Sequence, residues 1–287
     1  MLFIIVGIVM CRIIALASHK LSPDALKTTV NSFITSSEVD PYLARLYEGT
    51  VWSHDDGWGF AALGLVDDRP TLAYHRSLVP IFHGSSRRVL SLHLRKISEY
   101  PSLYLIMHTR KASWGEPYGI DYVHPFVRTY KNSVAWFVHN GGADKKALAE
   151  KLNTYPWTRA DSELLGQYIA DNIHACVEGG GHIDNCAVSA YSEAREYIIK
   201  GAGFNTALMW LDGNKIHLYL SHWVREPYRG EVKEFYSVVA YNDQITALAS
   251  TVTLRNYLPS SMANKTYVLE PGLYKIGPGS VLKLSSL

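Results

Sequence analysis

The sequence predicts a mixed α+β protein in which helices cover antiparallel sheets. The predicted elements run in the order strands, helices, strands, and not as alternating βα units. Asp212-Gly213-Asn214 separates two apolar runs, 206–211 and 215–220, which is a strong signal for a β-hairpin. Apolar residues make up 47% of the chain and charged residues 19%, a composition typical of a globular protein with a large core.

Strands are predicted where β-branched and aromatic residues concentrate, and helices where apolar residues recur every three or four positions. The predicted strands follow Cys11 and span 57–66, 71–74, 102–107, 133–138, 206–211, 215–220, 236–241 and 244–250. The predicted helices begin after the Ser22-Pro23-Asp24 cap and span 89–97, 143–153, 161–178 and 186–199. No internal repeat or low-complexity linker divides the chain, so we expect a single domain over residues 11–287.

Composition excludes several function classes. The formal net charge is +2 and the basic residues are scattered, so no footprint for nucleic acid is expected. Three cysteines, Cys11, Cys176 and Cys186, argue against a disulfide framework and fit a reducing compartment, with the last two as buried, inert thiols. Asp55-Asp56 is interpreted as a structural turn, because two adjacent carboxylates cannot enclose a cation alone. We therefore predict no metal site.

The first 17 residues are apolar except for Arg12 and permit three interpretations. A membrane-spanning helix would need about 20 apolar residues and would place Arg12 in lipid. A secretory signal would end near Ala17, but it lacks a basic start and carries a charge in its apolar stretch. In the favoured interpretation, Met10 is the true start, and residues 1–10 are a leader or an over-extended start. We then expect a cytoplasmic protein without a membrane anchor.

A cysteine at the true N-terminus would supply both a nucleophile and a base. An α-amine has an ordinary pKa of about 7.7–8.0, so a useful fraction is neutral and can accept the thiol proton. Cys11 would become such a residue if Met10 or residues 1–10 were removed. The alternative for a cysteine near an apolar strand is a small buried side chain without chemistry.

Six short motifs occur in a fixed order along the chain. They are MCRIIAL at 10–16, HDDGWGFA at 54–61, HTRKASWG at 108–115, HPF at 124–126, VHNGG at 138–142 and ADSELL at 160–165. Each motif alone is weak, but six in order resemble the class II glutamine amidotransferases, a family of N-terminal-nucleophile hydrolases. The similarity extends from Cys11 to about Ser250 and is greatest with small stand-alone members that lack a fused synthetase.

This resemblance implies a fold and a reaction. The fold would be a four-layer αββα sandwich of two antiparallel sheets faced by helices. Cys11 would attack the side-chain amide of glutamine, and the Asn140 side chain and the Gly141 backbone N–H would stabilise the oxyanion. Considered without the family, Asn140-Gly141-Gly142 is equally well explained as a tight turn.

The resemblance also assigns residues to the two ends of the substrate. Arg110 and Ser113 would hold the α-carboxylate, and Asp161 would pair with the α-ammonium group. Asp161 also has the pattern of a helix N-cap, and both roles are compatible. His108 and His124 would support the site as structural residues.

The expected activity is hydrolysis of glutamine with release of ammonia, without a cofactor. Lys111 stands where several family members carry an aromatic residue, which leaves the local substrate contact open. Two alternatives remain: a γ-glutamyl peptide or conjugate amidohydrolase, and a catalytically silent subunit that binds glutamine or a partner. About 37 residues follow Ser250, too few for a synthetase domain. Transfer of ammonia would then need a synthetase partner chain.

Overall fold

The structure is a computed structural model that describes residues 11–112, 116–226 and 230–287. Its strands are β1 Arg12–His19, β2 Trp58–Val66, β3 Arg69–Ser77, β4 Ser102–Thr109, β5 Phe126–Thr129, β6 Ser133–Gly141, β7 Phe204–Asp212, β8 Lys215–His222, β9 Val238–Asn242, β10 Thr246–Thr251, β11 Tyr267–Val268, β12 Gly272–Gly277 and β13 Ser280–Ser285. Its α-helices are α1 Pro23–Glu38, α2 Pro41–Leu46, α3 Gly84–Ile97, α4 Lys145–Lys151, α5 Asp161–Glu178, α6 Ile183–Ala194, α7 Gly230–Tyr236 and α8 Ser260–Ala263.

The strands form two antiparallel sheets. The first sheet has the order β11-β9-β10-β1-β4-β2-β3, and the second has the order β13-β12-β8-β7-β6-β5. β1 pairs with both β4 and β10, so it lies in the middle of the first sheet. β6 pairs with β5 and β7 in the second sheet. The middle of each strand therefore has paired neighbours on both sides, whereas Arg12 at the start of β1 pairs with β4 alone and Asn140 near the end of β6 pairs with β7 alone.

Three apolar clusters separate four layers. Alternate residues of β1 face opposite ways, since successive side chains of a strand point to opposite faces. Ile13 and Ala15 lie in the cluster between the two sheets. Ile14 and Leu16 pack instead with buried residues of α1 and α3. A third cluster joins the second sheet to α5 and α6. The predicted αββα sandwich is thus confirmed.

Several element bounds differ from the sequence prediction. α3 begins at Gly84 and not at 89, because the His83 side chain caps the helix at the Ser85 N–H. α6 spans Ile183–Ala194 and not 186–199. α2 was missed although Asp40 caps it and Pro41 opens it. The strand predicted from 236 begins at Val238, since Tyr236 is the last residue of α7.

The prediction of two unpaired thiols in the helical region was wrong. Cys176 and Cys186 form a disulfide with a Cα–Cα distance of 5.6 Å, and Cys176 is exposed while Cys186 is buried. They lie on α5 and α6, which a short glycine-rich connection joins. A Cβ on Gly181 would lie only 2.6 Å from the Cys186 sulfur and 2.7 Å from the Cys176 sulfur. The glycine therefore leaves room for the disulfide.

Among the described residues, no helix combines the length and the apolar character needed to cross a membrane.

Candidate active site

Cys11 lies directly before β1 and faces the second sheet. It is 4% exposed, and its backbone nitrogen donates to the Asn140 Oδ1 atom at 2.9 Å. Asn140 lies near the end of β6, 129 positions further along the chain. The stacking of the two sheets thus brings together the two residues to which the sequence assigned the nucleophile and the oxyanion donor.

The bond to Cys11 fixes the orientation of the Asn140 amide. Because Oδ1 accepts from the Cys11 nitrogen, Nδ2 is the group left on the other side. This Nδ2 atom is buried and has no hydrogen-bond partner within the part of the chain that the structure describes. A buried donor without a partner costs about 1–3 kcal/mol, so it is a group for which a ligand atom is expected.

Gly141 is the last residue of β6 and pairs with Phe204 of β7. Because Asn140 and Gly141 both belong to a paired strand, the tight-turn interpretation is wrong for these two positions. A Cβ at Gly141 would lie 1.7 Å from the Gly203 carbonyl oxygen. Any other residue would push β6 and the chain before β7 apart, so this approach requires glycine.

The Cys11 thiol is protonated at neutral pH when residues precede it. Burial raises its pKa to about 12, although the Lys111 carbonyl and the Arg110 charge act in the opposite direction. The Lys111 oxygen lies 3.7 Å from the sulfur. The charges of Asp161 and Asp56 raise the pKa further. Nucleophilic attack from this sulfur therefore requires a base close to it.

Arg110 follows β4 directly and is 5% exposed. Its backbone N–H donates to the Gly57 oxygen at 2.8 Å, and its Nη2 donates to the Pro117 oxygen at 2.9 Å. Its Nη1 is buried and lacks a partner among the described residues. The Arg110 Nη2 is thus held by Pro117, and the Nη1 is left to donate a hydrogen bond to a ligand. Ser113, predicted beside it, lies outside the described residues, as do residues 1–10.

Asp161 is the first residue of α5, and the N-cap is Ala160, so the predicted capping role is wrong. The carboxylate instead accepts from the Ala143 N–H at 2.9 Å and from the Ser162 N–H at 2.6 Å. It therefore ties the chain after β6 to the start of α5. Burial raises the Asp161 pKa, and the hydrogen bonds from Ala143 and Ser162, which lower it, only partly offset this effect. A cation beside this carboxylate would stabilise its charged form.

Three buried histidines, His108, His124 and His139, lie close together near the site. The His108 and His124 ring centroids are 3.9 Å apart, and the His108 Nε2 lies 3.1 Å from the His139 oxygen. The His139 Nδ1 lies 3.0 Å from the Ser162 hydroxyl. Burial lowers the pKa of all three, that of His139 to about 4, so they are neutral near pH 7. Their arrangement supports β4, β6 and the start of α5.

Two ion pairs at the site were missed by sequence reasoning. The Lys111 Nζ lies 2.6 Å from the Asp55 Oδ1, and the backbone oxygen of the same lysine lies 3.7 Å from the Cys11 sulfur. The Lys145 Nζ lies 3.2 Å from the Glu116 Oε2. Burial and the Asp161 charge raise the Glu116 pKa, whereas the Lys145 charge acts in the opposite direction. The available signal was position in the sequence: Asp55 and Lys111 lie within motifs, and Glu116 and Lys145 follow closely after motifs.

A buried ionic network anchors the first residue of β1. The Arg12 guanidinium pairs with Asp40, and both side chains are 0% exposed. The His54 Nε2 lies 2.7 Å from the same carboxylate, and the Thr253 hydroxyl lies 3.2 Å from its other oxygen. Arg12 also stacks 4.1 Å above the Phe235 ring. Because Cys11 precedes Arg12, this network fixes the backbone that carries the sulfur.

Within 11–112, 116–226 and 230–287, no group of three or more His, Cys, Asp or Glu residues could hold a metal ion.

Comparisons with known proteins bear on family and fold. The model of a family described as "Glutamine amidotransferases class-II" matches residues 42–243, well over half of the chain. The comparison with curated proteins found no match.

Solved structures with a similar fold include an "allosteric regulatory enzyme of purine biosynthesis", with a TM-score of 0.56 and 14% identity. Another is the glutamine phosphoribosylpyrophosphate amidotransferase from B. subtilis complexed with ADP and GMP, with a TM-score of 0.54 and 13% identity. Each comparison covers 96% of this chain and 49% of the other, so the chain spans about half the length of these relatives.

A predicted glutamine amidotransferase from Pseudomonas aeruginosa PA01 matches with a TM-score of 0.44 and 14% identity, over 96% of this chain and 98% of that one. At these identities the structural likeness shows the fold alone, whereas the family model covers most of the chain. The chain belongs to the class II glutamine amidotransferases.

Proposed function

We propose that this protein hydrolyses the side-chain amide of glutamine through a thioester on Cys11, with the α-amine of Cys11 as the base. One observation carries the proposal. The Cys11 nitrogen donates to the Asn140 Oδ1 at 2.9 Å, and the Asn140 Nδ2 is left buried and without a described partner. The same amide thus orients the base and offers a donor to the oxyanion.

The proposal requires that Cys11 begins the mature chain. With residues ahead of it, its nitrogen is an amide that cannot accept a proton, and the buried thiol has its pKa raised to about 12. Under those conditions almost all of the thiol is protonated at pH 7. A neutral α-amine two bonds from the Cβ could take the proton locally, while one of its N–H groups still donates to Asn140.

The reaction then proceeds in two halves. The amine accepts the thiol proton, and the sulfur attacks the amide carbon, forming the C–S bond and an oxyanion that Asn140 and Gly141 face. The oxyanion collapses and the C–N bond breaks, with the ammonium proton going to the departing ammonia. Water then attacks the thioester with the amine again as base, which releases glutamate and restores the thiol.

Arg110 and Asp161 would hold the amino-acid end of the substrate. The Arg110 Nη1, buried and without a described partner, suits the α-carboxylate. Asp161, whose pKa is raised mainly by burial, would gain from the α-ammonium group. Ser113 remains proposed at the α-carboxylate. His108 and His124 remain proposed as supporting residues, since both are buried and their pKa is lowered.

The direct test compares glutamine hydrolysis by Cys11→Ala and Asn140→Ala with the parent protein starting at Cys11. Cys11→Ala should abolish ammonia release, and Asn140→Ala should lower kcat by about 10²–10³, the usual effect of losing one oxyanion donor. Asn31→Ala, on the outer helix α1, is a matched control that should keep full activity. Ammonia release by Cys11→Ala at the parent rate would refute the assignment.

A second candidate is hydrolysis of γ-glutamyl peptides or conjugates, because Lys111, whose backbone oxygen lies 3.7 Å from the Cys11 sulfur, carries a side chain that pairs with Asp55. A charged pair there suits a polar leaving group better than ammonia alone. Comparing kcat/KM on glutamine and on a γ-glutamyl dipeptide decides between the two. If the dipeptide is preferred and Lys111→Met removes that preference, the second candidate stands and the glutamine assignment falls.

Ammonia transfer to an acceptor would need a synthetase partner chain, and this part is also a proposal. It rests on the family and on the solved relatives, which are about twice as long as the matched region. A Met10 start favours a cytoplasmic protein. The Cys176–Cys186 disulfide weighs against it, because disulfides persist mainly in oxidising compartments. A silent subunit remains the alternative if the parent protein releases no ammonia.

A further inference from the structure

We propose that a cavity at the open edge of the sandwich binds a small organic anion, a carboxylate or phosphate ester on a short apolar body. The cavity has a volume of about 280 Å³ and lies between β3, the edge strand of the first sheet, and β5, the edge strand of the second. Small-molecule sites have volumes of roughly 300–1,000 Å³, so this cavity suits a small ligand. Neither Cys11 nor Asn140 lines it, and the inference does not depend on the proposed function.

Three guanidinium groups line the cavity, and they differ in their partners. Arg128 lies 3.2 Å from Asp171, and Arg159 lies 2.7 Å from Glu163. Arg76 instead donates to the backbone oxygens of Asp121 at 3.4 Å and Val123 at 3.1 Å.

Among the described residues, Arg76 forms no ion pair with a carboxylate, since the pairs at this cavity are those of Arg128 and Arg159. The Asp121 side chain also lines the cavity, but it is exposed and screened by water. Arg76 is therefore the cation that an incoming anion would meet. Its planar fork can hold a carboxylate or a phosphate with two parallel hydrogen bonds.

Besides the Arg159 Nε, which lies 2.7 Å from the Glu163 Oε1, two polar atoms at this cavity are buried and lack hydrogen bonds within the described part of the chain. They are the Arg128 Nε and the Gln167 Oε1. The Gln167 orientation is set because its Nε2 donates to Asp171 at 3.2 Å. Buried polar groups are rarely left unsatisfied in folded proteins. An acceptor oxygen of a bound anion would satisfy the Arg128 Nε.

The inner wall of the cavity is apolar. Phe126, Phe137 and Ala170 line it together with Gly166 of α5. A Cβ at Gly166 would lie 2.4 Å from the Phe137 ring, so the glycine lets α5 pack directly against this ring. An apolar wall opposite a guanidinium selects a ligand that is apolar at one end and anionic at the other.

The test measures binding of phenyl phosphate, benzoate and inorganic phosphate by isothermal titration calorimetry. We expect one site that binds phenyl phosphate or benzoate with a Kd of about 1 mM or tighter and inorganic phosphate more weakly, because phosphate lacks the apolar body. The stronger of the two organic probes tells whether the site takes a phosphate ester or a carboxylate. Arg76→Gln should weaken binding of the stronger probe at least about tenfold. Arg69→Gln, on the same strand but outside the cavity, should bind as the parent does.

A second variant avoids reliance on a half-buried arginine. Val127 lines the cavity and is 41% exposed, so Val127→Glu should fold and repel an anion. Val79→Glu, at 42% exposure and outside the cavity, is the matched control. Loss of binding in Val127→Glu but not in Val79→Glu supports the proposal. Equal binding by Val127→Glu and the parent, or no saturable binding of phenyl phosphate and benzoate, overturns it.

Discussion

Removing Arg12 should destabilise the protein far more than removing an exposed arginine. The Asp40 side chain is 0% exposed, and Arg12→Met removes the main counter-ion of its carboxylate. Burial alone would raise the Asp40 pKa, but the charges of Arg12 and His54 outweigh it and hold this pKa well below its usual range. Breaking a buried pair in this way costs about 3–5 kcal/mol in the free energy of unfolding.

The matched control is Arg45→Met. Arg45 pairs with Glu234 at 3.2 Å, with the side chains 53% and 49% exposed. An exposed pair of this kind contributes about 0–1 kcal/mol. Urea unfolding at pH 7, followed by tryptophan fluorescence, gives both free energies on the same scale. If the two variants lose equal stability, the network does not anchor the start of β1 as described.

Three further outcomes are expected. Arg110→Ala should raise the KM for glutamine more than it lowers kcat, because the Arg110 Nη1 is proposed to bind the α-carboxylate in both the ground state and the transition state. A large fall in kcat at constant KM would contradict this role. Cys176→Ser should lower the free energy of unfolding by about 2–3 kcal/mol, since the disulfide closes a loop with a sequence separation of 10. Dithiothreitol should make the parent as unstable as the variant, and a stability difference that persists in dithiothreitol would contradict the disulfide as its cause. Burial lowers the pKa of His139 and His222 to about 4, so between about pH 6.5 and 4 these two histidines bind a proton only in the unfolded state. The melting temperature should therefore fall as the pH is lowered over that range. If the melting temperature of His222→Gln depends on pH as that of the parent does, His222 is excluded as a cause.

Local patterns predicted most strands and the long helices. The hairpin at Asp212-Gly213-Asn214 joins β7 to β8 as expected, and Ser22 caps α1. The four-layer arrangement came from the ordered motifs and not from periodicity. Tyr236 was assigned to a strand because aromatic residues favour strands, but in the structure it is buried at the end of α7. Tertiary packing outweighed local preference there.

Contacts between distant residues could not be predicted from local patterns. Arg12, Asp40 and His54 meet only because β1, the chain before α2 and the chain before β2 converge in the fold. The disulfide likewise depends on how α5 and α6 pack and on the missing Cβ of Gly181. The spacing of these residues in the sequence indicates neither the contacts of Arg12 with Asp40 nor the proximity of Cys176 to Cys186. The carboxylate bonds of Asp161 show the same limit, since they depend on the position of Ala143.

The most direct measurement compares two proteins, one whose chain begins at Cys11 and one that keeps residues 1–10, each with its N-terminus verified by mass spectrometry. Glutamine hydrolysis and the rate of Cys11 alkylation by iodoacetamide are followed from pH 6 to pH 10. The shorter protein should release ammonia and be alkylated near neutral pH, whereas the longer one should be inactive and react slowly, since its buried thiol has a pKa raised to about 12. Equal hydrolysis by the two proteins would show that the α-amine of Cys11 is not the base.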